Sequence, residues 1–466
     1  MPQIYAVTNV PPEILAYGMA KYSRSNRSLV ENLKELSDDK AAKFLKTFYF
    51  DYGHASIADL AHVAIAIEDV SLLAAMEIVD EPLWDGQERS TWYQNFDGAA
   101  YYRPHTASSF YDTATQELFR LYRQVQNLGL QLLSEQYARP MSMSEKTYSR
   151  IMQARAFDIA RYCLPLNTLT SLGQITNARV LERQIRRLMA SPLPELRTIA
   201  TKLKNCAADE PAVDFSQRYD GPVLPTLVKY TDTDSFNASL HPMIEPLVKQ
   251  IPSLPTTSNV ELTIQPPLLD AQVAQILYAF GQVSYRSCLN YVQDLSSSEK
   301  EDILALVFSG RGPHDEWPRL ARQAPLQFDL IMDVGAYRDF NRHRRVHKIT
   351  QALNPHLKFS IAAPFMHSPQ GDWFTQQLSA YYARLSEFTD PNLLPYLLPL
   401  AQHRRLLMTM DIAEAAYIIE LRSRSQGHFS YRYVAWQMYE ALKIQQPELA
   451  RHIRVTPPGD FDPFQR

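Results

Sequence analysis

The chain has 466 residues, 45% of them hydrophobic and 21% charged, the balance of a globular protein with a full core and room for two or three domains. Its net charge of −3 gives no global field to draw it to nucleic acid or an anionic membrane. Three cysteines, Cys163, Cys206 and Cys288, are too few and too scattered for a disulfide framework or a zinc site, and no metal site is expected.

The opening Met-Pro-Gln-Ile-Tyr has no basic stretch leading into an apolar one, so no secretory signal is read there. Helical periodicity covers residues 12–24 and 27–37, and Ser37-Asp38-Asp39-Lys40 reads as a cap before a helix at 39–50. A turn at Tyr52-Gly53-His54-Ala55-Ser56 leads into 57–79, a short helix mixed with a buried apolar segment. That stretch is the most apolar of the chain. Asp59, His62, Glu68, Asp69 and Glu77 interrupt it, so it would cross a bilayer only at a large desolvation cost. The expectation is a cytoplasmic protein with neither nucleic-acid nor membrane partners.

Amphipathic helices follow at 111–138, 145–163, 176–190 and 194–205. Prolines 211, 222 and 225 and the run Ile251-Pro252-Ser253-Leu254-Pro255 mark connecting chain, with a join somewhere in 206–260. Beyond it, helices are predicted at 270–294 and 298–308, a turn near His314, and an apolar run at 326–332. Further helices are predicted at 370–387, 402–422 and 427–443. Strands are few and short. The class is α+β, helix-rich, with a small antiparallel sheet in each half.

The halves echo each other. Ala16-Tyr17-Gly18 through Tyr22-Ser23-Arg24-Ser25 answers Ala279-Phe280-Gly281 through Tyr285-Arg286-Ser287. Each leads to a histidine turn, at His54 and His314, and Cys163-Leu164-Pro165-Leu166 answers Leu397-Leu398-Pro399-Leu400. Three landmarks in one order, displaced by roughly 230–265 residues, indicate a duplication. The two copies are placed at 1–235 and 236–466.

The densest charge is Arg338-Asp339-Phe340-Asn341-Arg342-His343-Arg344-Arg345-Val346-His347-Lys348, directly after an apolar segment. Such a cluster can grip phosphate, because the arginine fork matches its oxygens, or it can be a solvated basic face. No phosphate-binding glycine loop or dinucleotide glycine fingerprint accompanies it.

At this string the chain resembles the flavin-dependent thymidylate synthases. Arg342-His343-Arg344 is similar to the head of their motif Arg-His-Arg-x-x-Ser-x-x-Glu-x-Ser-x-Arg-Tyr. Gly53-His54-Ala55-Ser56-Ile57-Ala58-Asp59 resembles their His-x-Ser/Thr-x-x-Glu, with Asp for Glu. Ala160-Arg161-Tyr162-Cys163-Leu164-Pro165 resembles Ala-Arg-x-x-Leu-Pro, and Asn177-Ala178-Arg179 resembles Asn-Ala-Arg. The resemblance implies two tandem copies of that fold. It also implies FAD as cofactor, NADPH and methylenetetrahydrofolate as co-substrates, and one-carbon transfer to C5 of dUMP, whose uracil is activated electrostatically. A homodimer of such chains would stand in for the family's homotetramer.

Neither copy carries the whole motif. In copy one it falls on Asp80 to Tyr93, where Glu88, Ser90 and Tyr93 match. Asp80, Glu81 and Pro82 replace Arg-His-Arg there, and Asp85 replaces the first Ser, so charge repulsion should oppose a phosphorylated cofactor. In copy two Arg342-His343-Arg344 is intact, but His347, Thr350, Ala352, Asn354 and Pro355 replace the later positions. Copy one keeps Arg161, Asn177 and Arg179, where copy two has Pro395, Asp411 and Ala413. Copy two has Arg422 and His428, resembling a substrate arginine and a flavin-contacting histidine.

The resemblance therefore implies a composite site. Arg161, Glu88, Ser90 and Arg422 would act on the substrate. Arg342, His343, Arg344, Asn177, Arg179, His428, His54 and Ser56 would hold the cofactor. Plainer readings stand beside these: His54 as a turn cap, Asn177-Ala178-Arg179 as a helix start with a surface arginine, Arg422 and His428 as a structural pair. A flavin enzyme with another pyrimidine or acceptor, and a non-catalytic scaffold of this fold, are the alternative functions.

Overall fold

A computed structural model of the protein describes residues 10–20, 55–91, 95–208, 243–247, 249–250, 267–279, 283–312, 317, 326–459 and 461–464. The first half forms α1 (Pro12–Ala20), β1 (His62–Ser71), α2 (Leu72–Val79), β2 (Asp85–Glu88), α3 (Ser109–Gln136), α4 (Glu145–Ala160), β3 (Leu169–Asn177), α5 (Ala178–Met189) and α6 (Pro194–Ala208). The second half forms α7 (Leu268–Ala279), α8 (Tyr285–Asp294), α9 (Ser297–Phe308), β4 (Leu326–Asp333), α10 (Val334–Asn341), β5 (His347–Thr350), α11 (Pro369–Leu385), β6 (His403–Met410), α12 (Ile412–Arg422) and α13 (Phe429–Gln445).

Each half builds one three-stranded antiparallel sheet with the late strand in the middle, β1-β3-β2 and β4-β6-β5. The class is therefore α+β and helix-rich, as the sequence indicates. The chain divides into two compact units. The first is residues 1–125, 163–229 and 376–400; the second is 126–162, 230–375 and 401–466. Each unit holds one whole sheet together with a segment drawn from the other half of the sequence.

Several predicted boundaries change. The helix predicted at 402–422 is strand β6 followed by α12. Arg404, Leu406, Met408 and Met410 alternate into the core, and Asp411 caps α12 by accepting from the Glu414 N–H at 2.8 Å. The apolar residues of this run satisfy both periods, and pairing with two neighbours selects the strand. Likewise the helix predicted from 176 starts at Ala178, after β3. Residues 57–79 resolve into a 3-10 turn (Ala55–Leu60), β1 and α2. The helix predicted at 270–294 is α7 and α8. The predicted helices at 27–37 and 39–50, His54 and His314 lie outside the described residues.

In the first unit, one face of the sheet is covered by α2, α5 and α6. Ile65, Ile67, Leu172, Ala75, Ile78, Leu181, Leu188 and Ile199 form its core. Trp84 closes it, donating its indole N–H to Gln174 Oε1 at 2.8 Å. Gly86 in β2 leaves room for this: a Cβ there would stand 2.3 Å from the Gly173 carbonyl oxygen and 2.5 Å from the Trp84 ring. Gly86→Ala should therefore destabilise the chain by about 2–3 kcal/mol, the cost of overpacking against a fixed backbone. A denaturation midpoint equal to wild type would show that β2 can shift without cost.

The two units repeat one polar device with its parts exchanged. At the end of β1, Ser71 caps α2 and donates its hydroxyl to Glu195 Oε2 at 2.6 Å, from the first turn of α6. At the end of β4, Asp333 caps α10 and accepts at Oδ2 from the Ser430 hydroxyl at 2.5 Å, from the first turn of α13. Serine and carboxylate have traded places. A tyrosine serves each acid: Tyr396 stands beside Glu195, and Tyr162 donates its hydroxyl to Asp333 at 3.2 Å. Both tyrosines precede a Leu-Pro landmark by the same step, and each belongs to the sequence copy opposite to the sheet it serves.

Candidate functional site

Helix α10 organises the second unit's candidate site. Its eight residues span about 12 Å. Asp333 caps its N-terminus, and Arg342 follows its last turn as C-cap, where a cation complements the helix dipole. The chain then folds back so that Arg342, His343, Arg344 and Arg345 line a recess of about 390 Å³ with Glu414, Tyr417, Leu421 and Arg422 from α12, and with Trp317. The indole N–H of Trp317 is buried and has no hydrogen-bond partner among the described residues.

The charges in this recess are partly neutralised from within. His343 is 5% exposed. Its Nε2 accepts from Arg422 Nε–H at 3.0 Å, and its Nδ1 faces Glu414 at 3.7 Å. This assigns the ring proton to Nδ1. Burial pushes the imidazole pKa down, Glu414 opposes that shift, and Arg422 reinforces it. His343 is therefore neutral at pH 7. Arg422 is tied to Asp339, through the carboxylate at 3.4 Å and the main-chain oxygen at 2.8 Å. Arg345 reaches Asp411 at 3.3 Å and Glu414 at 3.5 Å. Asp339, Asp411 and Glu414 thus answer Arg422 and Arg345, and four guanidinium groups line one recess. A guanidinium-rich wall, the buried indole of Trp317 and the flat face of Tyr417 fit a phosphate-bearing aromatic cofactor.

Arg161 and His428 belong to the same unit but to the other end of α10. Arg161 is 2% exposed and lies against the first turn of that helix: a Cβ at Gly335 would stand 3.4 Å from its guanidinium NH2. His428 caps α13, accepting at Nδ1 from the Ser430 N–H at 3.2 Å, with Nε2 3.4 Å from the Asp158 carbonyl. It borders a second, larger cavity and not the arginine recess.

The remaining candidates are in the first unit. Glu88 ends β2 half-buried and Ser90 follows it on the surface. Asn177 caps α5, accepting from the Val180 N–H at 2.9 Å, and Arg179 is exposed and paired with Asp59 at 3.1 Å. Ser56 falls in the 3-10 turn. Glu81 is buried, and Arg183 and Arg187 hold it at 2.9 and 2.8 Å. Its charge is thereby absorbed within the protein, which removes it from the expected repulsion of a cofactor.

Trp317, Glu414 and Tyr417 were not marked by sequence reasoning. The one available signal was that Glu414 opens a helix capped by Asp411, three residues earlier.

Three histidines carry an acid-sensitive penalty. Burial lowers the pKa of His343 and of His403, and of His452 to about 4. A histidine with a depressed folded pKa opposes protonation that the unfolded chain accepts. Its stabilisation is full above about pH 6.5 and is lost as pH falls below that value. The thermal midpoint should therefore be flat from pH 8 to 7 and decline from pH 6.5 toward 4. A midpoint independent of pH down to 5 would contradict this.

Fold and recess together define a tandem α+β protein with an arginine-lined recess in one unit. The family profile described as "Thymidylate synthase complementing protein" matches residues 6–210 and 268–448, and the chain belongs to that family. Relatives match this chain along most of their length. A UPF0159 protein of Chlamydia muridarum is 26% identical over 98% of this chain and 93% of its own length. One of Chlamydia pneumoniae is 25% identical over 98% and 92%. One of Thermoplasma acidophilum is 24% identical over 95% of each.

Proposed function

We propose that the chain is a flavin-dependent thymidylate synthase-like protein whose second unit binds FAD through Arg342, Arg344 and Arg345. The observation that carries this reading is the convergence of these arginines with Arg422 on one recess that Tyr417 and Trp317 also line. His343 would not contribute charge; as a neutral ring it fixes Arg422 in place. Bound flavin would supply the hydride chemistry for one-carbon transfer from methylenetetrahydrofolate to C5 of dUMP, with NADPH as reductant.

The test is the visible absorption spectrum of purified protein, with released chromophore counted per chain. About one flavin per chain is expected from a single arginine recess. Protein that is colourless and takes up no added FAD would reduce the chain to a scaffold of this fold.

A second reading has its own observation. Arg422, which the resemblance assigns to the nucleotide, is occupied by Asp339 and His343. A carboxylate at that position favours an acceptor less anionic than dUMP. Flavin reduction by NADPH without dUMP binding would select this reading.

A further inference from the structure

The two units differ in one place where their backbones agree. In the first unit, Tyr102 N–H donates to Asn167 O at 2.7 Å and Leu169 N–H donates to Ala100 O at 2.9 Å. In the second unit, Ser360 N–H donates to Ala401 O at 2.9 Å and His403 N–H donates to Lys358 O at 3.0 Å. The isolated bridges Tyr101↔Thr168 and Phe359↔Gln402 fall in the same register. Ser360 therefore stands where Tyr102 stands, and His403 where Leu169 stands. The Tyr102 ring packs on Tyr396 with centroids 5.2 Å apart. In the second unit the phenol is reduced to a hydroxymethyl group, and a cavity of about 730 Å³ borders Ser360, His403, Tyr162 and Phe359.

The cavity's chemistry restricts its occupant. Phe359, Phe429 and Phe461 supply flat apolar walls. Its two arginines are engaged: Arg155 donates to Pro463 O at 2.9 Å and pairs with Asp158 at 3.4 Å, and Arg432 donates to Ser423 O and Pro457 O, both at 3.2 Å. Neither is poised for a phosphate. Asp333, on the same wall, already accepts from Ser430, Tyr162 and the Ala336 N–H, and it repels an anion. Ser360 Oγ, 3.0 Å from His403 Nε2, gives the cavity a polar edge that can both donate and accept. Burial lowers the His403 pKa and keeps the pair uncharged at neutral pH. The volume suits a ligand of one to three rings.

We propose that this cavity is a binding site for an uncharged heteroaromatic molecule bearing a hydrogen-bond donor and an acceptor on one edge, held between the phenylalanine walls and read by Ser360 and His403. The site is separate from the arginine recess and does not depend on the flavin reading.

The probes are quinazolin-4-one, which carries an N–H and a carbonyl, and its carboxylated analogue, titrated into the full chain by calorimetry and ligand-observed NMR. Wild type should bind the neutral probe saturably, with Kd on the order of 0.1 mM for a fragment of this size. The carboxylated analogue should bind at least tenfold more weakly. Ser360→Tyr installs the side chain that the other unit carries at this position, so it should fold with an unchanged thermal midpoint and lose the probe. His403→Leu, also the other unit's residue, should weaken binding about tenfold without filling the space. FAD uptake should be the same in both variants. The proposal is overturned by absence of saturable binding in wild type, by equal binding in Ser360→Tyr, or by equal binding of the carboxylated probe. Loss of FAD uptake in Ser360→Tyr would also overturn it, because the cavity would then be part of the flavin site.

Discussion

Asp333→Ala should destabilise the chain by about 3–5 kcal/mol, and Asp333→Ser combined with Ser430→Glu should recover a large part of that loss. The first figure sums three named losses: about 1 kcal/mol for the N-cap of α10, and about 1–2 kcal/mol, the lower part of the range for an unsatisfied group, for each of two hydroxyls left without an acceptor. Those hydroxyls are Ser430 at 2.5 Å and Tyr162 at 3.2 Å. The double variant recreates the arrangement of the first unit, where Ser71 caps the helix and Glu195 brings the carboxylate from the packed helix. A serine still caps, and the acid again lies within reach of the serine hydroxyl. Chemical denaturation of wild type, both single variants and the double variant gives the coupling energy directly. A coupling above about 1 kcal/mol is expected. Additive losses would show that the exchanged pairs in the two units are unrelated in function.

This device bears on how much of the molecule was readable in the chain. The duplication, the α+β class and the long helices α3, α4 and α11 follow from repeated landmarks and from 3.6-residue periodicity. Strand β6 did not, because its apolar residues fit a helix as well as a strand, and only pairing with β4 and β5 separates the two. The exchange of segments also lay beyond the sequence. Tyr162 is in the first copy, yet its hydroxyl serves a carboxylate of the second. No local pattern encodes which sheet a helix covers, since that choice depends on packing of whole faces.

The candidate site was legible in part for a related reason. Arg342, His343 and Arg344 stand out as a charged run, and the structure brings Arg422 to them. What the run could not reveal is that His343 is buried and neutral, that Asp411 and Glu414 answer Arg345, and that Asp339 answers Arg422. The resemblance assigns Arg161 to the substrate and His428 to the cofactor, in one composite site with that run. They fall at the opposite end of α10, because a helix of eight residues puts about 12 Å between its caps. Ser360 and His403 were passed over entirely. The signal that finds them is a comparison of the two repeats around Tyr102 and Leu169, where a large side chain gives way to a small one.

Removing the guanidinium groups of the recess should separate phosphate recognition from ring recognition. Arg342→Ala and Arg344→Ala should each weaken FAD binding roughly 10- to 100-fold, since a charge-assisted hydrogen bond contributes about 1.5–3 kcal/mol. Riboflavin lacks phosphate and should bind the variants and the wild type alike, so the FAD-to-riboflavin preference should collapse. Added salt should weaken FAD binding to wild type more than to either variant, because these side chains are partly exposed and their field is screened. Asp339→Asn works in the opposite direction. It keeps the main-chain acceptor of Arg422 at 2.8 Å and removes the carboxylate at 3.4 Å, so the arginine stays in place with its charge released. Affinity for an anionic nucleotide should then rise about tenfold if that carboxylate is what excludes dUMP. Tighter FAD binding in Asp339→Asn with dUMP still excluded would mean that Arg422 faces the cofactor. Tighter dUMP binding with FAD unchanged would mean that it faces the substrate. Equal fluorescence titrations for wild type and all three variants would remove the recess from the flavin assignment.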